Sequence, residues 1–267
     1  MANSHPARIV CLSAEAVEIL YRIGCGDRVV GATGFAVEPP EARQKPRVSG
    51  FSEVNYEKVD ALRPDLIITF SDIQAEATKE LIRRGHAVLA TNQRSLEDIF
   101  NTIILIGRVA GCEGEAVKLV DEMRGEIFRI EHREGEAKWP TVYFEEWDEP
   151  MISGIKWVSE LIEAAGGNDI FPEMRKIPRA PDRVVSGEEV IKRSPEIIIA
   201  SWCGKKTDLK SICTRPGWQD IPAVIDGEVH EMHSNDILQP GPGLLRGFKQ
   251  LRRIIERGME RTNPPGF

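Results

Sequence analysis

No stretch of about 18 apolar residues occurs anywhere in the 267-residue chain, so no membrane-spanning helix is encoded. The opening segment MANSHPARIV has no charged region followed by an apolar one, so it does not read as a secretory leader. Either the protein stays in the cytoplasm or a leader has been removed. Long basic runs are also missing, and the formal net charge is −7. That balance argues against a nucleic-acid surface and fits a protein that handles small molecules. Cysteine is sparse: Cys11, Cys25, Cys112, Cys203 and Cys213. An odd number without paired spacing implies reduced thiols, which favours the cytoplasm. There is no C-x-x-C and no H-x-x-x-H, so nothing shows the spacing of a dedicated metal site. The phosphate-binding G-x-x-x-x-G-K-[ST] loop and the G-x-S-x-G elbow are absent too, which removes the commonest nucleotide and acyl-transfer signatures. Gly24-Cys-Gly26 follows a helix instead of opening one, the wrong side for a dinucleotide fingerprint.

What is present is an alternation of short apolar runs and amphipathic segments. Arg8–Leu12, Arg28–Val30, Asp65–Phe70 and Ala87–Ala90 read as strands, and Ala14–Ile23, Ile73–Arg84 and Leu96–Ala110 as helices. The pattern restarts with strand Thr141–Phe144, helices Trp157–Ala165 and Glu188–Arg193, and strand Glu196–Ala200. Short strands at Ile221–Ile225 and Glu228–Met232 and a closing helix at Leu244–Arg257 complete it. Strands alternating with helices of this length imply parallel βα units. Between the halves, Ala116, Leu119, Val120, Met123, Ile127 and Ile130 recur at helical spacing among charged residues. This predicts an amphipathic helix from Glu113 to Glu134 that reaches about 33 Å.

The halves also resemble each other. The segment from Val54 through Glu57, Val59 and Pro64 to the apolar run that follows aligns without a gap on Val185, Glu188, Val190, Pro195 and the run after it. A weaker match pairs Val17–Gly24 with Val158–Gly166. Repeats more than a hundred residues apart indicate two similar lobes, because solenoid periods are shorter. The expected fold is α/β: two Rossmann-like βα lobes, residues 1–111 and 139–267, joined by one long rigid helix within 112–138.

Taken together, Arg8–Ser13, Val30-Gly31, Pro39-Pro40, Val54–Phe70, Ile152–Gly154, Leu161–Gly167 and Val185–Ala200 resemble the substrate-binding proteins of ABC importers for cobalamin, ferric siderophores and haem, closest to the cobalamin-binding branch. The resemblance covers Arg8 to about Arg257. It implies a non-enzymatic, monomeric protein with two lobes on a helical backbone, and a ligand in the cleft between them. It implies further that one glutamate per lobe meets arginines of the transporter's membrane subunits. Those glutamates fall on Glu57 and Glu188, the pair already matched by the repeat; the plain alternative is a helix-start glutamate favoured by the helix dipole.

In parallel α/β sheets, ligands bind beyond the carboxyl ends of strands. Candidate ligand contacts are therefore Phe35, Phe51 and Phe70 in the first lobe, where the cobalamin-binding relatives place aromatics against the corrin. In the second they are Glu145, Trp147, Trp202, His233 and Asp236. Each has an ordinary alternative: core packing for the phenylalanines, half-buried lids for the tryptophans, a solvated acidic turn, a hydrogen-bonded histidine. The expected ligand is a corrinoid such as cobalamin, with no covalently bound cofactor, no catalytic residue and no protein metal site. Two other readings stand beside it. One is a cytoplasmic corrinoid carrier or sensor without a transporter. The other is a metal-dependent enzyme that uses Cys203, His233 and the acidic strand end.

Overall fold

The computed structural model describes residues 5–50, 53–129 and 139–262. The chain divides into two compact units, Met1–Met123 with Pro240–Pro242, and Arg124–Gln239 with Gly243–Phe267.

The first unit runs β1 (Ile9–Cys11), α1 (Ala14–Arg22), β2 (Val29–Thr33), β3 (Arg47–Ser49), α2 (Tyr56–Ala61), β4 (Leu66–Phe70), α3 (Ala75–Arg83), β5 (Val88–Thr91) and α4 (Leu96–Val109), then enters α5 (Glu113–Ile127). Its sheet has the order β3-β2-β1-β4-β5, and every neighbouring pair is parallel. β1 is wholly buried because helices cover both faces of such a sheet, so its residues need no polar alternation. Val10, Leu12, Val48, Val59, Ile67 and Leu81 close one side of the core. Helix α4 begins in a reciprocal cap between Ser95 and Asp98, which satisfies end N–H groups that no carbonyl reaches.

The second unit runs β6 (Thr141–Asp148), β7 (Met151–Ser153), α6 (Lys156–Ala164), β8 (Asn168–Asp169), α7 (Gly187–Arg193), β9 (Ile197–Ala200), α8 (Leu209–Cys213), α9 (Pro222–Ile225), β10 (Val229–Glu231), α10 (Ser234–Ile237) and α11 (Leu244–Thr262). Strands β10, β9 and β6 are parallel. β8 pairs with the start of β6, and β7 turns back antiparallel along its end. Tyr143, Phe171 and Trp218 form the aromatic heart of this core, with ring centroids 5.8 and 6.1 Å from Tyr143 in edge-on arrangements.

The internal repeat extends to backbone detail. Asn55 caps α2 by accepting from Lys58 N (2.9 Å), and Ser186 caps α7 by accepting from Glu189 N (3.2 Å). Each helix then ends in a non-glycine residue of positive φ just before the proline, Arg63 at 45° and Ser194 at 49°. The following strands pair with β1 and β6 through Leu66↔Ile9 and Ile197↔Val142.

Four expectations are corrected. The linker helix ends at Ile127, not Glu134; residues 130–138 lie outside the described ones. It stops where its buried stripe of Ala116, Leu119, Val120, Met123 and Ile127 stops, and its 15 residues reach about 22 Å. Ile221–Ile225 is not a strand but contains the short helix α9. Pro222 opens that helix, where its missing N–H is not needed, and a brief apolar run carries no period to say otherwise. The strand expected to stop at Phe144 continues to Asp148. Finally, Cys25 and Cys112, 87 residues apart, form a disulfide, so not every thiol is free.

Candidate functional site

At the carboxyl edge of the first sheet, β2 leads through Thr33 to Phe35, whose ring is among the exposed large hydrophobics. Arg47 holds this turn by donating to the carbonyls of Thr33 (2.7 Å) and Ala36 (2.9 Å). Phe70 closes β4 and is half-buried. Its N–H donates to Gln74 Oε1 (2.9 Å), while Gln74 Nε2 donates to the carbonyl of Leu12 (2.9 Å). One buried amide thus ties the ends of the two central strands, a role that no sequence signal pointed to. The Arg94 guanidinium lies 5.9 Å from the Phe70 ring centre and is paired with Asp72 at 2.6 Å. Phe51 lies outside the described residues.

The same edge carries a buried carboxyl that sequence reasoning passed over. Glu15, in the first turn of α1, is 4% exposed, and its Oε1 has no hydrogen-bond partner among the described residues. Burial pushes its pKa up to about 7. Its own backbone N–H and Ser13 pull the other way, and the nearby Glu18 adds to the rise. The Pro240–Pro242 segment sits against it. A side chain on Gly241 would place its Cβ 2.8 Å from that of Glu15, so only glycine fits there. Gln93 Nε2 donates to the carbonyl of Pro240.

In the second unit the sequence-predicted residues divide. Glu145 is fully buried. Arg215 grips its carboxylate with two bonds (2.5 and 2.9 Å), and Trp202 Nε1 (3.1 Å) and the Tyr143 hydroxyl (3.3 Å) also donate to it. The Arg215 guanidinium in turn stacks 4.7 Å from the Trp218 ring centre. This corrects the reading of Glu145 as a ligand contact. Because β6 runs four residues further than expected, Glu145 faces inward from mid-strand, and its acceptor sites are already engaged. Next to it, Glu146 accepts from the fully buried Arg183 (2.6 Å) and from Ile155 N (3.0 Å), which fixes the turn into α6.

Trp147 and Trp202 do come together, at the true end of β6 and just after β9. Lys205 Nζ lies 4.4 Å from one ring centre and 4.7 Å from the other, and pairs with Asp148 at 2.6 Å. Trp147 is half-buried and donates from Nε1 to the carbonyl of Glu149 (3.0 Å). His233 is exposed and caps α10, its Nδ1 accepting from Asn235 N (3.2 Å). That bond leaves Nε2 to carry the proton of the neutral ring. Asp236 pairs with Arg246 at 2.9 Å. Among the described residues no three histidine, cysteine, aspartate or glutamate side chains gather as a metal site. No described helix is long and apolar enough to cross a membrane.

Glu57 and Glu188 stand on the helices matched by the repeat, each the second residue of its helix and two after the cap. The Glu57 side chain is 82% exposed, with Arg84 3.9 Å away, and Glu188 is exposed.

Two parallel-centred sheets, with aromatics at their carboxyl edges and a matched helix–proline–strand unit in each half, make up the architecture. A family model described as periplasmic binding protein matches residues 9–235. The chain belongs to the periplasmic binding protein family. Members of this family are solute-binding proteins and not enzymes, which removes the metal-dependent-enzyme reading. The chain is 28% identical to an ABC transporter substrate-binding lipoprotein of Bacillus subtilis, YvrC, over 95% of this chain and 81% of that one. It is 26% identical to a vitamin B12-binding protein of Vibrio parahaemolyticus, over 96% of this chain and 92% of that one. A solved structure described as a possible iron-binding, periplasmic solute-binding protein of Staphylococcus epidermidis superposes with a TM-score of 0.80 at 25% identity, covering 94% of this chain and 99% of that one.

Proposed function

We propose that this periplasmic binding protein is the solute-binding component of an ABC importer and holds a corrinoid at the carboxyl edges of its two sheets. Phe35, Phe70 and Trp147 supply apolar ring faces, with Trp202 behind Trp147. The observation that carries the reading is the placement of aromatic rings at strand ends in both halves of a chain similar, over nearly its whole length, to a vitamin B12-binding protein. A broad, flat ligand gains most from such faces, through apolar area with a smaller stacking contribution. His233 and Asp236 are the candidate polar contacts, and residues 1–111 and 139–267 act as the lobes.

Glu57 and Glu188 serve as the docking charges for the membrane subunits. Like charges at equivalent points of a repeat suit a partner with two-fold symmetry. The Cys25–Cys112 disulfide supports a working place outside the reducing cytoplasm, and so favours the importer over a cytoplasmic carrier.

Titration with cyanocobalamin, followed by tryptophan fluorescence, tests the reading. Saturable quenching at micromolar ligand is expected, and Trp147→Ala weakens it at least about tenfold, the order of one lost aromatic contact. A flat titration sinks the corrinoid reading. The likeness to a possible iron-binding protein makes hemin and ferric siderophores the next ligands for the same assay.

A further inference from the structure

The ammonium of Lys205 sits over both indoles, 4.4 and 4.7 Å from their centres, and against Asp148 at 2.6 Å. Two electron-rich ring faces and a carboxylate around one cation is the arrangement by which aromatic cages hold cationic ligands. Here the chain provides the cation itself. Trp202 is only 4% exposed, whereas the Lys205 side chain is 41% exposed, so the lysine forms the outer cover. Gly204 has a φ of 81°, and nothing lies within 4 Å of where its Cβ would be, so the loop bearing Lys205 meets open space there. The first sheet carries a one-ring counterpart: Phe70 under Arg94, with Arg94 paired to Asp72.

We propose that Lys205 is an internal occupant of the Trp147–Trp202 faces, and that ligand capture exchanges its ammonium for the surface of the ligand. This rests on the reading of those tryptophans as ligand contacts. In the empty protein the lysine keeps two apolar faces covered and the indoles in place. On capture it swings into solvent, and its lost contacts are subtracted from the affinity.

Two measurements test this. The first needs no physiological ligand. Tetramethylammonium is titrated into wild type and Lys205→Ala, with sodium chloride matched throughout and tryptophan fluorescence as the readout. Saturable binding at millimolar concentration is expected in Lys205→Ala, about three- to thirtyfold weaker in wild type and lost in Lys205→Ala/Trp147→Ala. No saturable binding to Lys205→Ala overturns the proposal. The second measurement is cyanocobalamin affinity. Lys205→Ala is expected to bind about three- to thirtyfold tighter than wild type, the range of one to two cation–ring contacts removed from competition. If cyanocobalamin binds wild type but binds Lys205→Ala equally or more weakly, the internal occupant is overturned and the corrinoid reading stands. If it binds neither, the corrinoid reading falls, and the tetramethylammonium result alone decides whether the cage exists.

Discussion

Two buried carboxylates show how environment assigns a role to a side chain. Glu145 and Glu15 are both at most 4% exposed. Glu145 is matched by a bidentate arginine, an indole N–H and a hydroxyl, so its charge is compensated where it lies; replacing only one partner would leave the other uncompensated. Among the described residues no cation pairs with Glu15, and burial raises its pKa from 4.5 to about 7. Between those two values the folded protein holds a proton that the unfolded chain has released. Stability from this group is therefore greatest at low pH and falls as pH rises through about 7, by about 3 kcal/mol at most. Glu15→Gln removes the ionisation. Urea unfolding at pH 5 and pH 8 is expected to show wild type losing stability relative to the variant at the higher pH. An equal difference at both pH values would remove the titrating role. Nothing in the Ser13-Ala-Glu15 stretch announced this carboxyl, because its burial depends on Pro240–Pro242, far away in sequence.

At the scale of elements, the repeat was the most legible feature. Cap, glutamate, apolar residue and proline recur at one spacing, and each has a local cause: a side-chain cap for orphan N–H groups, then a proline that cannot continue the helix. Both copies end on a left-handed residue that is not glycine, a conformation costing about 1 kcal/mol or more for an L side chain. Ser194→Gly should raise stability by about 0.5–1 kcal/mol, once the greater freedom of unfolded glycine is allowed for. Chemical denaturation measures it, and an unchanged or lower midpoint would falsify the relief of strain. The element errors were also local in origin. Strand β6 outran its expected end because Glu145 and Glu146 read as a polar turn, when each in fact meets an arginine distant in sequence.

For the whole molecule, five cysteines gave an odd count that read as five free thiols. Cys25 and Cys112 are paired, leaving Cys11, Cys203 and Cys213. Alkylation under denaturing, non-reducing conditions, read by intact mass, is expected to label three thiols, and five only after reduction. Five labelled before reduction would remove the disulfide and with it the support for an oxidising compartment. The family placement itself needed no tertiary information, since the match spans residues 9–235.

The sequence by itself determined the two α/β halves, their repeat and the strand ends that lead to Phe70 and Trp202, while the end of β6 that carries Trp147 was placed by the structure. What the sequence determined follows from hydrophobic period, caps and prolines, which act over a few neighbouring residues. Only the tertiary structure decided that Glu145 is gripped from beneath while Trp147 and Trp202 share one lysine, that Glu15 is sealed under a returning proline segment, and that two cysteines 87 residues apart meet. Burial and charge pairing depend on which distant segments come together, and one chain's local pattern does not encode that.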